Sequence, residues 1–435
     1  MEKLLIHGGR RLNGDIRISG MKNAALPILY ACALNRETCV LQNVPTVSDI
    51  DTTVAILSAM GADIRYTAPT TMEINCANLR VGTSPEKFVR KIRASSYLMG
   101  VELALEGRTS IAYPGGCQFG SRPLDYHIRG FELMGAEMTT HGKGFSGIAP
   151  DGLHECKIML DFPSVGATVN LVLASVFTPG TTIIGNAARE PHIVAMAVFL
   201  NQCGARITGA GNSEIRVEGV SSLHGCTYQI PADMIEAGTY MAAVAATGGR
   251  VTLHDVIPKH LESVTSKLTE MGVTVEESDD TVTVVSEGVG SIKPTQIITA
   301  PYPGFPTDMQ PQFAILQGIA EGISRIDEKV SIGRFFYLEE LKKTGMRVAS
   351  QTEYTVCIEG VDRLYGAPMK ATDLRGGAAM VIAGLVAEGE SEITSLEYID
   401  RGYDDLIGKL RSLGADITRV SYFDTDAPVS VQTQA

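Results

Sequence analysis

The chain repeats one pattern of apolar and polar positions six times. In each copy, an apolar helical stretch ends at a glycine, and a β-prone stretch follows that glycine. The glycines lie 68 to 74 residues apart, at Gly61, Gly135, Gly204, Gly272, Gly345 and Gly414. A period this regular indicates one structural unit copied six times along the chain.

Two further elements recur ahead of each glycine. A β-branched and apolar run predicts a strand at 37–41, 107–111, 180–184, 249–253, 322–326 and 390–394. Before each strand comes a helix rich in small residues, and its lack of large polar residues predicts that it is buried. The predicted unit is strand, buried helix, strand, amphipathic helix and two final strands, with the sheet curved around the buried helices.

The two ends of the chain are predicted to belong together. Residues 5–14, 216–225 and 357–366 place two glycines and a leucine at the same spacing, whereas the polar C-terminal tail contains no good copy. We therefore expect the N-terminal strand to complete the sixth unit. This predicts an α/β (α+β) protein with three units in each of two domains, 21–229 and 1–20 with 230–435, and a hinge where the chain crosses twice.

Composition limits the class of protein. A chain of 435 residues suits two domains, and 44% hydrophobic with 20% charged residues is ordinary for a globular protein. No apolar run reaches the roughly 18–20 residues of a membrane span, and the N-terminus is predicted as a strand rather than a signal peptide. The eight cysteines form no Cys-x-x-Cys pair and the histidines show no ligand spacing, so we expect no metal site and a reducing cytoplasm.

The net charge of −12 argues against nucleic acid as a partner. Cationic residues nevertheless mark loops and helix starts that the repeats make equivalent: Lys22, Arg93, Arg122, Arg334, Arg375 and Arg401. Equivalent loops lie at similar ends of the two domains. If those two ends face each other, their cations would form a positive cleft for a small anion that carries phosphate or carboxylate. The alternative is that each is a surface charge satisfied by a nearby acid.

One loop differs from its counterparts in the other units. Residues 114–123 contain three glycines and two prolines, which exclude a helix or a central strand. Cys117 lies in this loop, five residues before Arg122, where its thiol pKa would be lowered. It is a candidate acid, base or nucleophile, and a passive thiol is the alternative.

Six motifs together resemble the UDP-N-acetylglucosamine 1-carboxyvinyltransferase family, from the first residues to about Val420. The motifs are Lys22-Asn23-Ala24-Ala25-Leu26-Pro27, the cysteine loop with Arg122-Pro123, Ser164-Val165-Gly166-Ala167-Thr168, Phe305-Pro306-Thr307-Asp308-Met309-Gln310, Ala371-Thr372-Asp373-Leu374-Arg375 and Ile399-Asp400-Arg401-Gly402-Tyr403. The resemblance implies a two-domain inside-out α/β barrel of six βαβαββ repeats, with the active site in the interdomain cleft.

The activity implied by the resemblance is a cofactor-free enolpyruvyl transfer in bacterial cell-wall synthesis. Its partners would be phosphoenolpyruvate and UDP-N-acetylglucosamine. By analogy Cys117 donates a proton and reacts with the epoxide fosfomycin, and Asp308 is the base near the sugar hydroxyl. Asp308 also starts a small-residue helix, where an N-cap role is favoured, and both roles can hold at once.

Other site residues also follow from the resemblance. Lys22, Arg122 and Arg401 would clamp phosphate and carboxylate, and Asn23 would help to hold the ketal intermediate and the sugar. The remaining implied substrate-binding residues are Arg93, Pro123, Leu124, Asp125, Tyr126, Ser164, Val165, Gly166, Val330, Arg334, Asp373 and Arg375.

The chain departs from the family pattern in two places. Val330-Ser331-Ile332-Gly333-Arg334-Phe335 stands where relatives usually have Val-Phe-Glu-Asn-Arg-Phe, and Phe162 stands where some have lysine. Two alternatives therefore stay open. One is another enolpyruvyl transferase of the same fold, such as 5-enolpyruvylshikimate-3-phosphate synthase, which lacks the cysteine loop. The other is a non-catalytic paralogue that binds nucleotide sugar. The oligomeric state is open.

Overall fold

The structure, a computed structural model, describes residues 2–115 and 124–422. The strands in these two ranges are, in chain order, β1 (Glu2–His7), β2 (Leu12–Arg17), β3 (Cys39–Gln42), β4 (Asp63–Ala68), β5 (Thr71–Asn75), β6 (Arg108–Ala112), β7 (Glu137–His141), β8 (Gly144–Ile148), β9 (Lys157–Met159), β10 (Thr181–Gly185), β11 (Arg206–Thr208), β12 (Glu214–Glu218), β13 (Thr227–Gln229), β14 (Gly249–His254), β15 (Thr274–Glu277), β16 (Thr281–Ser286), β17 (Gln296–Ile298), β18 (Ile323–Asp327), β19 (Arg347–Gln351), β20 (Thr355–Glu359), β21 (Pro368–Lys370), β22 (Glu390–Thr394) and β23 (Asp416–Ser421).

Helices alternate with these strands. The α-helices are α1 (Lys22–Cys32), α2 (Ser48–Ala59), α3 (Glu86–Val89), α4 (Leu98–Glu106), α5 (Asp125–Leu133), α6 (Val165–Ser175), α7 (Pro191–Gln202), α8 (Met234–Thr247), α9 (Glu262–Glu270), α10 (Gln310–Gly318), α11 (Tyr337–Leu341), α12 (Leu374–Val386) and α13 (Leu406–Ser412). Short 3₁₀ turns lie at Arg93–Tyr97, Pro258–Leu261, Thr307–Met309, Lys342–Thr344 and Leu396–Tyr398. None of these helices has the length and apolar character that crossing a bilayer requires.

Among the described residues the strands form six separate sheets, five of them mixed and one antiparallel, and no sheet closes on itself. In the third unit, β9 runs parallel to β10, β10 pairs antiparallel with β12, and β12 pairs antiparallel with β11. The same order occurs in four other sheets, while the described part of the second unit contributes β6, β8 and β7 alone. The six-unit α/β fold predicted from the sequence is confirmed.

Each half of the molecule buries three helices rich in small residues, α1, α4 and α6 in one and α8, α10 and α12 in the other. In α8 every residue from Ile235 to Ala246 is buried. A side chain at Gly100 of α4 would lie 2.4 Å from the Asn170 backbone oxygen of α6, so glycine allows these helices to approach closely. The buried apolar residues form a first core within 21–230 and a second core within 4–18 and 232–417.

The six repeat glycines share one backbone conformation. Their φ angles lie between +90° and +109°, a region that residues with a Cβ rarely adopt. Each glycine follows a helix and reverses the chain toward the next strand, as a residue with left-handed backbone conformation does at the C-terminus of an α-helix. The repeated pattern in the sequence therefore reflects a repeated backbone requirement.

Strands distant in sequence close both halves. β1 lies between β22 and β23 in the sheet of the sixth unit, and β2 is parallel to β14 in the fourth. In the first half, β13 is parallel to β3. The two crossings between the cores bond to each other, because Met21 N donates to Pro231 O at 2.7 Å and Asp233 N donates to Ser19 O at 2.9 Å. The domain boundaries named above stay a prediction.

Candidate active site

A cavity of about 330 Å³ lies between the first and second cores. Both halves contribute polar and charged residues to its lining. Nine residues predicted from the sequence line it: Lys22, Asn23, Arg93, Val165, Asp308, Val330, Arg334, Arg375 and Arg401. The fold thus brings the cationic motifs of different units to one place.

Asp49 connects the two cores at one side of this cavity. Lys22, at the start of α1, donates from Nζ to Asp49 Oδ2 at 3.0 Å, and Arg401 of the second core donates from Nε to Asp49 Oδ1 at 2.9 Å. The carboxylate is 4% exposed. Burial by itself would raise the pKa of Asp49, but the charges of Lys22 and Arg401 outweigh it and lower the pKa. Asp49 is therefore an anion that holds two cations in place.

Asp308 lies in a second ionic cluster, formed entirely by the second core. Arg334 Nη1 donates to its Oδ1 at 2.8 Å, and Arg375 donates to its Oδ2 from Nε at 3.2 Å and from Nη2 at 3.1 Å. Burial opposes ionisation, but the adjacent Arg375 and Arg334 charges hold the pKa of Asp308 far below its usual range. Asp308 is thus a permanently charged carboxylate at neutral pH.

Asp308 does not cap the helix that follows it. It lies in the Thr307–Met309 turn ahead of α10, and no side chain caps that turn or α10. Both of its carboxylate oxygens bond to arginines instead. The N-cap role suggested by the sequence is therefore wrong for Asp308.

Asp373 serves the second cluster as an N-cap. Its Oδ1 accepts hydrogen bonds from the backbone N–H groups of Arg375 and Gly376, which starts α12, and it lies 3.8 Å from Arg334 Nη2. The Arg375 guanidinium lies over the Tyr403 ring, 5.2 Å from its centroid. Asp373 does not line the cavity, so its contribution is to position Arg375 and Arg334.

The other predicted residues form two groups, those outside the described part of the chain and those described away from the cavity. Cys117, Arg122 and Pro123 fall outside the described residues. The following predicted residues are described but do not line the cavity: Leu124, Asp125, Tyr126, Ser164 and Gly166. Ser164 caps α6 by accepting from Ala167 N at 3.3 Å.

Gly166 packs α6 against a buried histidine. A Cβ at Gly166 would lie 2.9 Å from the His127 ring, which bonds to Asn170 Nδ2 at 2.7 Å. Burial, assisted by the charge of Arg93, lowers the pKa of His127 to about 3. This packing fixes the N-terminal end of α6 beside Val165, which does line the cavity.

The lining residues that are absent from the sequence-based set include two acids and a histidine: Asp49, Glu190 and His192. Burial lowers the pKa of His192 to about 4, although the charge of Asp308 acts in the opposite direction. Burial raises the pKa of Glu190, whose Oε1 accepts from Tyr302 N of the second core at 3.4 Å. Their signal in the sequence is weak, because Asp49 resembles an ordinary acid in a first helical turn and the other two flank a Pro at a helix start.

The segment that departs from the family pattern borders the cavity through Val330 and Ser331. Glu328 Oε1 accepts from the backbone N–H of Val330 at 2.9 Å and of Ser331 at 2.7 Å. Gly333 has φ +79°, and a Cβ there would meet nothing within 4 Å. Glu328 therefore holds the backbone at Val330 and Ser331, and position 333 has space for a side chain.

Nearly the whole chain is similar to known proteins. Residues 6–410 match the family model described as EPSP synthase (3-phosphoshikimate 1-carboxyvinyltransferase). The chain is 49% identical over 420 residues to UDP-N-acetylglucosamine 1-carboxyvinyltransferase 3 of Caldanaerobacter subterraneus, which covers 97% of this chain and 100% of that protein. It is 47% identical over 422 residues to UDP-N-acetylglucosamine 1-carboxyvinyltransferase of Clostridium botulinum, with 97% and 100% covered.

A solved structure shows the same arrangement of elements. The enolpyruvyl transferase NikO from Streptomyces tendae superposes with a TM-score of 0.86 at 26% sequence identity. The superposition covers 96% of this chain and 99% of that chain.

Proposed function

This chain belongs to the EPSP synthase family, and from that premise we propose that it transfers the enolpyruvyl group of phosphoenolpyruvate to the 3-hydroxyl of UDP-N-acetylglucosamine, releasing phosphate. That reaction is the first committed step of peptidoglycan synthesis. The observation that carries the proposal is the cavity between the cores, in which Lys22, Arg401, Arg334 and Arg375 surround a place for an anionic substrate.

The charges of the cavity suit these substrates. Phosphoenolpyruvate carries a phosphate and a carboxylate, and the nucleotide sugar carries a diphosphate. Lys22 has three N–H donors, and Asp49 accepts one of them, so two remain for a ligand. Arg375 also lines the cavity, and its guanidinium lies over the Tyr403 ring. Fixed cations of this kind stabilise an anionic reaction path without reorganising.

The proposed reaction is an addition followed by an elimination. The 3-hydroxyl oxygen bonds to C2 of phosphoenolpyruvate while the hydroxyl proton leaves and C3 accepts a proton. The product is a tetrahedral ketal that still carries the phosphate. The C2–O bond to phosphate then breaks, a C3 proton leaves, and the double bond returns as an enol ether. We assign the proton donation at C3 to Cys117, as the resemblance implies.

Asp308 is suited to orient the hydroxyl rather than to remove its proton early. A carboxylate held by two arginines is a weak base, because its charge is already stabilised. It remains a good hydrogen-bond acceptor, and its side chain is 30% exposed. We assign to Asp308 the positioning of the 3-hydroxyl, whose proton passes to this carboxylate as the C–O bond forms and the hydroxyl becomes acidic.

Closure of the two halves is part of the proposal. The crossings at Ser19–Met21 and Pro231–Asp233 allow a hinge, and the Asp49–Arg401 ion pair joins the cores beside the cavity. Opening must break that pair, and closing on substrate would exclude water from the ketal.

We further propose a cytoplasmic location. The described cysteines are free thiols, which persist in a reducing compartment, and a nucleotide-sugar substrate is available there.

A different acceptor is the second candidate. Ser331 of the departing Ser331-Ile332-Gly333 segment lines the cavity, and the enolpyruvyl transferase NikO has the same arrangement of elements at 26% sequence identity. The same transfer to another hydroxyl would use the same cations.

Phosphate release distinguishes these candidates. Purified protein should release phosphate from phosphoenolpyruvate when UDP-N-acetylglucosamine is added, and not when shikimate 3-phosphate is added. A Cys117→Ser variant should lose about 10²–10⁴-fold in rate, since a hydroxyl is a far weaker acid than a thiol. If the protein is folded and binds phosphoenolpyruvate but releases no phosphate with either acceptor, the proposed acceptor is refuted.

A further inference from the structure

Three cysteine thiols converge in the first core, away from the cavity. Cys39 starts β3, Cys203 follows α7 and Cys226 precedes β13. Their Sγ atoms all lie within 4.8 Å of one another, and Cys203 Sγ is 3.3 Å from Cys226 Sγ. Spacing along the chain predicts no metal site, because it cannot detect ligands this far apart in sequence.

The closure of the first half creates this thiol cluster. β13 pairs with β3 so that Thr227 faces Val40, and Val40 N donates to Cys226 O at 2.8 Å. The Cys203 carbonyl accepts from His224 N at 2.9 Å, which ties the end of α7 to the segment before β13. Backbone hydrogen bonds therefore hold all three thiols in place, independently of any interaction between the sulfurs.

The chemistry of the thiol cluster is that of a soft-metal site. All three candidate ligands are sulfur, and thiolates select thiophilic ions such as Cu(I) and Zn(II). Asn35 Nδ2 donates to Cys39 Sγ at 3.4 Å and to His224 O at 2.6 Å, and such outer-shell donors orient and stabilise thiolate ligands.

The exposure of the thiols fits this chemistry. Cys39 and Cys203 are fully buried, and Cys226 is partly exposed and gives access.

We propose that Cys39, Cys203 and Cys226 bind one thiophilic d¹⁰ metal ion, Cu(I) or Zn(II), as three thiolates. Each thiol loses its proton as its sulfur bonds to the metal, so binding releases three protons and transfers no electron. The bound ion would join β3, α7 and β13 and so fasten the first half where its first and third units meet. This inference does not depend on the proposed enzymatic activity.

The experiment uses the full chain, reduced with a non-thiol reductant and handled without oxygen. Cu(I) and Zn(II) are titrated separately against chromophoric chelators, and native mass spectrometry counts the bound ions. We expect one equivalent of at least one metal. Tight Cu(I) with weak Zn(II) supports a three-coordinate site, whereas tight Zn(II) supports the same thiolates with a fourth ligand, since structural zinc is four-coordinate.

Matched variants test the ligands. Cys226→Ser should weaken binding by more than the roughly 10–100-fold that outer-shell changes cause, while Cys76→Ala in the same core and Cys117→Ser should keep one equivalent. Metal should also protect Cys226 of the unmodified protein from iodoacetamide, a readout that needs no variant. Absence of binding by both metals, or equal binding by Cys226→Ser, would overturn the proposal. A further contrary result starts from protein isolated with a Cys203–Cys226 disulfide. If reduction returns the two thiols and the reduced protein then binds neither metal, the proposal is also overturned.

Discussion

The cavity contains two aspartates, each held by two cations, that differ in where the cations come from. Asp308 bonds to Arg334 and Arg375, all within the second core. Asp49 bonds to Lys22 of its own core and to Arg401 of the other. The first cluster is complete whatever the relative position of the halves, whereas the second exists only when they meet.

This difference separates two tasks that one charged cavity must perform. The preformed Asp308 cluster can orient a hydroxyl group before closure, since its arginines are only 4% and 2% exposed. Lys22 and Arg401 of the Asp49 cluster have side-chain exposures of 10% and 18%. The Asp49–Arg401 bond forms only when the halves meet, so this cluster can stabilise the closed arrangement. The comparison therefore predicts that the first cluster governs the chemical step and fold stability, and the second governs substrate affinity through domain position.

The largest expected effect is that of Asp308→Asn. The variant should lose about 10²–10⁴-fold in kcat, because the amide cannot accept the hydroxyl proton. It also leaves Arg334 and Arg375 buried without their anion, which should cost up to about 3 kcal/mol of unfolding free energy. Phosphate release and urea unfolding measure the two effects. If Asp308→Asn turned over at the wild-type rate, this cluster would have no role in the chemical step.

The dependence of stability on pH comes next. Both aspartates have lowered pKa values, so their stabilisation is present above about pH 4 and is lost only below it. His127, buried and with a pKa of about 3, is neutral in the fold, so its contribution is complete above about pH 6.5 and falls as the pH drops below that value.

Between pH 7 and pH 5 the unfolding free energy should therefore fall by about 2 kcal/mol for His127 alone, at about 1.4 kcal/mol per pH unit below 6.5. His127→Gln should remove that part of the fall, while His141→Gln, at an exposed position, should not. Urea unfolding at both pH values measures it. An unchanged slope in His127→Gln would show that groups other than His127 cause the loss of stability in this range.

Asp49→Asn should have a smaller effect on activity and a specific one on shape. Loss of the bond between the cores should raise KM for the nucleotide sugar about 5–30-fold, the equivalent of about 1–2 kcal/mol, with kcat less affected. Without ligand, small-angle scattering should give a larger radius of gyration than for the unmodified protein. Asp51→Asn, exposed on the same helix, is the control. Equal radii for all three proteins would contradict a role for Asp49 in closure.

The smallest effect is expected at the departing segment. Restoring the family pattern with Ser331→Phe, Ile332→Glu and Gly333→Asn should lower KM for the nucleotide sugar by up to roughly tenfold, since ordering a loose segment costs on the order of 1 kcal/mol per residue. Asn tolerates the positive φ at 333, and the space there is open. Gly333→Asn alone is the control for backbone ordering. Gain of turnover only in the triple variant would instead mean that the native segment serves another acceptor.

Much of the fold could be predicted because its signals are local. The strand predicted at 390–394 is β22, residue for residue, and the other five predicted strands each overlap an observed strand closely. Alternation, helical periodicity and a glycine with positive φ are all properties of a few neighbouring residues. The three-stranded second sheet was not predicted, because α3 and the Arg93–Tyr97 turn lie between β5 and α4, whereas each of the other five buried helices follows a strand.

The site was predictable only in part. Lys22, Asp308 and Arg401 belong to recognisable motifs and line the cavity. Asp49, Glu190 and His192 were missed, since an acid in a first helical turn or a histidine after proline is common without any function. Asp308 showed the opposite error, because its position suggested a cap that its arginines exclude.

By itself the sequence determined the number of units, the order of their elements and the family, because these depend on periodicity and motifs within short stretches. Only the tertiary structure decided which charges meet. Arg401 and Asp49 are 352 positions apart, and the thiols of Cys39 and Cys203 belong to different units. Such pairs depend on how strands from distant parts of the chain close each half and on how the halves face each other, and no local pattern encodes those long-range distances.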